Sequence, residues 1–451
     1  MSTLHKIINA FDDVFDELQV EIEPPVLENI AITILKVMTL RTRSFHTLDH
    51  IFTLVDKKKP VHALAAFFHD IVYYQVDHGV QPEILPLISP YIEEKAGYIF
   101  IPQQMKTQDR TLQLTLDIFG FEPGQKLFPL AGLNEFLSAL AMNKLLSRIL
   151  SEKVLFQITA CIEATIPFRG ENDHGKSCFD ELETRLKDVN QKLGLSLQSV
   201  EIENIVRSAV IFANKDVVSF ADEDPGKFLD QNWKLLPEIN QPLLLVKQYS
   251  IKDYRQALQK MAEFFESLDP DTIFHCYRGA PAEPEFQSMV RLAHQNVEIA
   301  RAYLTMKLLT MVIIEALAEV SGGDAPLALF MGDVRQADEE LTRLEDYLLE
   351  VKINEAQDQS STVFRLLNEG RASASGFDMK NSPLTAFLYK SLGDEGIKLL
   401  AAQAKKFLAG ELKPQTFLAQ APKPVLSAIA RACSMMALTR RQALNRYILP
   451  S

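Results

Sequence analysis

Cysteine is scarce in this 451-residue chain. Its four cysteines (Cys161, Cys178, Cys276 and Cys433) are scattered and none forms a CxxC. That excludes a disulfide scaffold and a zinc-finger pattern, and it points to a reducing, cytoplasmic setting. A basic surplus is also absent: 47 Lys and Arg face 59 Asp and Glu, a net charge of −12. Broad nucleic-acid binding or attachment to an anionic membrane surface is therefore not expected, although a local basic pocket is compatible with the balance. No stretch reads as a membrane span. The longest apolar run, 302–320, carries Lys307 and Glu315 and reads as a buried core helix. The opening Met-Ser-Thr-Leu-His-Lys moves straight into an amphipathic pattern, so no signal peptide is expected. Period-2 runs are few, with 98–101 the one short strand candidate, and no repeat of fixed period stands out.

What is present is helical spacing almost throughout. Leu4, Ile7, Ile8, Phe11, Val14, Phe15 and Leu18 recur at three- and four-residue intervals. Pro24-Pro25 breaks that helix and starts a second. A third begins near His46 and ends before the Lys57-Lys58-Lys59-Pro60 turn, and a fourth runs from Pro60 to about Tyr74. Helices are further expected over 133–150, 153–164, 178–193, 200–222, 251–268, 285–320, 325–351 and 383–449. The proline-rich stretch 77–131 reads as an insertion or lid. The length calls for more than one core. We expect an all-α chain in two domains, 1–235 with the insertion and a helical domain 236–451.

Chemistry concentrates at His69-Asp70, two strong metal ligands at the end of the apolar run Ala63-Leu64-Ala65-Ala66-Phe67-Phe68. His46 and His50 lie some twenty residues upstream, four apart, and would share a face if both were helical. Imidazoles and carboxylates that leave open positions suit a divalent ion that activates water. Asp49 is the local acceptor for a ring nitrogen not used on the ion. His62, seven residues before His69, reads as a surface or entrance residue.

The string Arg43-Ser44-Phe45-His46-Thr47-Leu48-Asp49-His50-Ile51, followed by Phe67-Phe68-His69-Asp70-Ile71-Val72-Tyr73, resembles the HD superfamily, especially its compact metal-dependent phosphohydrolases. Asn134-Glu135-Phe136-Leu137-Ser138-Ala139 and Asp216 continue the family's motif order. The resemblance spans about 25–225. It implies an HD-domain-like helical bundle with a divalent metal (Mn²⁺, Mg²⁺, Fe²⁺ or Zn²⁺) on one early His, His69, Asp70 and Asp216. His50 is the favoured early ligand, with His46 supporting a ligand from behind or facing a phosphate; the reverse assignment stays open. Glu135 would orient water or act as base beside Asp70, and Arg43 would meet a substrate phosphate. Arg169 and Lys215 are further candidates for a phosphate contact. The chain departs from the family in the long 77–131 segment and in lacking a Thr-x-x-His after Ala164.

The resemblance implies hydrolysis of a phosphate ester, with a small phosphorylated molecule such as a nucleotide as partner and a homodimer as an option. The alternative is a non-catalytic sensor of a nucleotide or metal, its helical half contacting a partner. In the second half, His275-Cys276-Tyr277-Arg278-Gly279 mixes polar side chains with a helix breaker. The stretch 368–378, small residues around Arg371, reads as a linker or as an anion-binding loop.

Overall fold

The apolar spacing near the N-terminus closes as the buried face of α1 (Thr3–Glu17), with Ile7, Phe11, Val14 and Phe15 inside. Ser2 caps that helix by accepting a hydrogen bond from the His5 backbone N–H. The computed structural model describes residues 1–104, 109–334, 341–349 and 361–450. Helices dominate these residues, and their only strands are β1 (Glu93–Lys95) and β2 (Tyr98–Phe100), an antiparallel pair. The all-α class is what the spacing predicts. Among the described residues no helix is long and apolar enough to cross a membrane.

The chain divides into two compact units. The first joins Met1–Ala221 to Asp269–Ala293, and the second joins Asp222–Leu268 to His294–Ser451. The division thus falls before the expected residue 235, and 269–293 belongs with the first unit.

In the first unit α1 is followed by α2 (Pro24–Met38), α3 (Leu48–Leu54), α4 (Pro60–Phe68), the single turn α5 (Leu85–Ile88) and α6 (Arg110–Phe119). Then come α7 (Leu133–Leu146), α8 (Glu152–Ala164), α9 (Cys178–Leu193) and α10 (Ser199–Asp216). The centre is α8, buried along most of its length and packed against α4, α7 and α10. Among its described residues the stretch 77–131 holds regular elements, the strands β1 and β2 and a core helix. Its helix α6, capped by Asp109, buries Leu112, Leu114, Leu116 and Phe119 against α7, α8 and α9. Sequence spacing missed α6 because prolines on both sides mask its apolar face.

Two expected helices end early, and both endings matter. The fourth was expected to reach Tyr74 but stops at Phe68, with His69 as its cap. The Val72 N–H then goes to Ser138 Oγ (3.0 Å) and the Tyr74 N–H to Asn134 Oδ1 (3.0 Å) instead of to helix carbonyls. The helix expected over 200–222 stops at Asp216. At the start of α7, Gly132 adopts φ 92°, and a Cβ there would meet Ile166 Cδ1 at 2.6 Å. Only glycine accommodates that approach without strain.

The second unit holds α11 (Pro225–Trp233), α12 (Leu235–Ile239), α13 (Ile251–Ser267) and most of α14 (Glu283–Ser321). It continues with α15 (Leu327–Met331), α16 (Thr362–Asn368), α17 (Pro383–Leu408), α18 (Pro414–Leu418), α19 (Lys423–Met436) and α20 (Arg441–Leu444). The apolar run 302–320 is indeed core. Its Glu315 is buried and takes both Nε and NH2 of the buried Arg255, at 2.6 and 3.2 Å. The long helix expected over 325–351 is absent from the described part, which has only α15 and a 3₁₀ turn at Leu344–Tyr347. Residues 335–340 and 350–360 lie outside the described residues.

Candidate metal centre

His50 comes from α3, His69 from the end of α4 and Asp216 from the last position of α10. Each is set by an apolar stripe: Ile51 and Leu54 bury α3, Ala65 to Phe68 bury α4, and Val210, Phe212 and Ala213 bury α10. The three helices bring one ligand atom of each residue within 4.8 Å of the others. Asp216 Oδ1 lies 2.9 Å from His50 Nε2 and 3.3 Å from His69 Nε2. Asp70 Oδ2 lies 3.0 Å from His69 Nε2. Ligand atoms bound to one divalent ion at ordinary N and O distances stand about 3.0 to 3.4 Å apart, so the spacing is that of a coordination shell.

The His69 ring supplies the sharper observation. Its Nδ1 donates to the Ala66 carbonyl at 2.9 Å, which leaves Nε2 as the free nitrogen. That atom is buried and has no hydrogen-bond partner. Two carboxylate oxygens crowd it, at 3.0 and 3.3 Å. A cation placed among them would engage all three, so the donor set fits a divalent ion. The acceptor for Nδ1 is thus a backbone carbonyl of the same helix. Asp49, the acceptor expected from the sequence, is exposed.

The charges reinforce one another. Burial opposes the charged form of His69, but Asp70 and Asp216 beside it raise its pKa well above the usual histidine value. Burial likewise opposes ionisation of Asp70, and His69, then His46, hold it far below the ordinary carboxylate range. Asp216 is held down in the same way by His69 and His50. Without an ion the His69 imidazolium balances part of this negative charge; a divalent cation would take over that role and displace the proton from His69 Nε2.

His46 lies near this cluster but not on α3. The helix begins at Leu48, so the expected shared helical face of His46 and His50 does not form. The His46 ring packs on Tyr73 with centroids 4.2 Å apart, and stands 6.5 Å from the His50 ring. Glu135 sits in the first turn of α7, its Oε2 buried without a hydrogen-bond partner. Burial raises its pKa to about 8; its own backbone N–H opposes that, and the Asp70 charge adds to it. Burial therefore favours the protonated form of this carboxyl.

The three expected phosphate contacts are placed differently. Arg43 faces no open space: its side chain is fully buried, with Nε on Asp77 Oδ1 at 2.9 Å and NH2 on Asp77 Oδ2 at 2.5 Å. Its NH1 donates to the Asp70 carbonyl at 2.7 Å. Arg43 therefore positions a ligand-bearing turn. Arg169 donates to Glu163 Oε1 (2.6 Å) and to the Glu163 and Ile166 carbonyls (3.0 and 3.2 Å). Lys215 Nζ donates to the Leu54 carbonyl at 2.8 Å and so closes the end of α3. His62 is no entrance residue: it is buried, with Nε2 2.6 Å from Ser208 Oγ.

Comparison with family models, curated proteins and solved structures finds no match.

The sequence reading missed two kinds of residue. Asp77, the counter-ion of Arg43, follows no recognisable signal, because its partner is 34 positions away. Asn134 and Ser138 were visible as a motif, but their work was not. They are four apart on α7 and together hold the backbone just after His69-Asp70.

Proposed function

We propose that the first unit is a metal-dependent phosphohydrolase acting on a small phosphate ester, a nucleotide being one such substrate. The observation that carries this reading is the convergence of His50, His69 and Asp216 from three helices, with the His69 Nε2 left buried and unpaired. The order of these residues along the chain, matching that of the HD superfamily, supports it. His50, His69 and Asp216 would hold a divalent ion, with Asp70 as a fourth ligand through its nearby carboxylate. When bound, such an ion supplies Lewis acidity, acidifying water and offsetting phosphoryl charge. Arg43 and the α7 pair Asn134 and Ser138 hold the Asp70 turn in place. Glu135 would orient the attacking water or act as base, and in its protonated form it can donate to a leaving oxygen.

The test is metal content by mass spectrometry, followed by a screen of phosphomonoesters, cyclic nucleotides and nucleoside polyphosphates with Mn²⁺, Mg²⁺, Fe²⁺ and Zn²⁺. Wild type should bind about one ion per chain and turn over one class of ester; His69→Ala and Asp216→Ala should lose the ion. Retention of wild-type metal content in His69→Ala would falsify the assignment.

One observation favours a second reading, a sensor that binds without turnover. Arg43, Arg169 and Lys215 are all engaged by the protein's own oxygens. None stands ready to grip a transferring phosphoryl group. Metal binding together with a nucleotide-dependent rise in thermal stability, and no hydrolysis of any ester, would decide for the sensor.

A further inference from the structure

The second unit contains a partly enclosed cavity of about 60 Å³, room for a few waters or one small oxyanion. Tyr254 of α13, Lys307 of α14, Asp378 and Ser382, and the first turn of α17 line it. None of these residues belongs to the metal centre or enters the function proposed above.

Several donors converge on one carboxylate at the cavity wall, that of Asp378. Lys307 Nζ donates to Asp378 Oδ2 at 2.6 Å and to Ser382 Oγ at 3.0 Å. The same carboxylate oxygen also accepts from Trp233 Nε1 at 2.9 Å and Arg371 NH1 at 3.3 Å. One oxygen thus serves three donor residues. The Tyr254 hydroxyl is 2% exposed by residue and has no hydrogen-bond partner. Asp378 is close enough for its charge to act on that hydroxyl. Outside the residues that line the cavity, the Arg371 Nε is also buried without a hydrogen bond, with Asp230 Oδ1 at 3.7 Å.

The floor adds donors of a second kind. Ser382 and Pro383 open α17, which runs ten residues before its bend at Gly393. A helix start leaves its first N–H groups without intrahelical acceptors, and Leu384 and Thr385 of this first turn line the cavity. The other acids on the wall are already paired: Asp333 with Lys247 at 3.6 Å and Glu345 with Arg343 at 3.1 Å. A buried donor without an acceptor is costly, so a guest that brings an acceptor would satisfy the Tyr254 hydroxyl.

We propose that this cavity binds a small oxyanion, the phosphate or carboxylate group of a ligand, through the Tyr254 hydroxyl, the Lys307 ammonium and the backbone N–H groups of Leu384 and Thr385. The second unit is then a ligand-binding module with its own site, independent of the metal centre. The loop 368–378 belongs to that module through the buried ends it contributes, Arg371 and Asp378.

The test is a titration of the full chain, treated with EDTA, at constant ionic strength held with chloride. Calorimetry and thermal unfolding follow inorganic phosphate in one arm and acetate in the other. Saturable binding of one anion is expected, and the arm that saturates at the lower concentration identifies the group. Tyr254→Phe keeps the ring and its packing and should weaken binding about tenfold, while His69→Ala should bind as wild type. Absence of saturable binding in both arms overturns the proposal. So does unchanged binding in Tyr254→Phe, or loss of binding in His69→Ala.

Discussion

His62 shows how burial decides what a residue can do. Two turns before His69 on the same helix, it is turned into the fold, where desolvation lowers its pKa from 6.5 to about 4, helped by Lys59. Its ring stays neutral in the folded protein while the unfolded chain takes up a proton below pH 6.5. Stability is therefore lost as pH falls from about 6.5 towards 4. By linkage, wild type should lose about 2 kcal/mol more than His62→Gln between pH 7 and pH 5 in urea unfolding. Equal losses would show that the ring is not held neutral. His275, also lowered to about 4 by burial and by Arg169, has the same sign. Arg43 makes the complementary point. A guanidinium that reads as a phosphate contact in sequence is committed, once folded, to one buried carboxylate and one backbone carbonyl.

At the scale of elements, the centre depends on where helices stop. α4 releases the chain at His69, and α7 catches it. Ser138→Ala would leave the Val72 N–H buried and unpaired, at a cost of about 1 to 3 kcal/mol. It should also weaken metal binding, because the Asp70 turn loses its anchor. A cap elsewhere provides the contrast. Ser177 and Asp180 form a reciprocal capping box on α9. Ser177→Ala should cost about 1 kcal/mol and leave metal affinity unchanged. Urea unfolding beside a metal titration reads both effects. Equal metal affinity in the two variants would remove α7 from the support of the site.

For the whole molecule, the return of 269–293 to the first unit is the central fact. Asn214, two residues before Asp216, donates from Nδ2 to the His275 carbonyl at 2.7 Å and accepts the His275 N–H at 2.9 Å. The His275 ring packs on Phe179 at 5.1 Å, and Arg278 NH2 reaches Glu183 at 2.9 Å. Ile273, Phe274 and Tyr277 of the segment are buried. A fragment ending at 235 keeps every proposed metal ligand but not this segment. Its thermal unfolding by circular dichroism should be broad and shifted well below that of the full chain. A sharp transition at the full-chain temperature would show the segment to be dispensable.

Sequence alone determined the helices whose apolar faces are regular. α1, α2, α8 and α9 stand where Phe11, Ile34, Phe156 and Leu186 place them, because 3.6-residue spacing is a local property. It also brought His50, His69 and Asp70 to notice, since ligand chemistry resides in residue type; Asp216 came to notice only through the order of motifs that the family resemblance implies. Tertiary structure decided the rest. Only folding showed that His46 precedes α3, that α6 is core, that Arg43 belongs to Asp77 and that 269–293 returns to the first unit. Each of these depends on a partner distant in the chain, and burial and charge are set by whichever partner arrives. His69-Asp70 could be read from sequence as a pair of ligands. That its Nε2 would be buried and unpaired between two carboxylates could not.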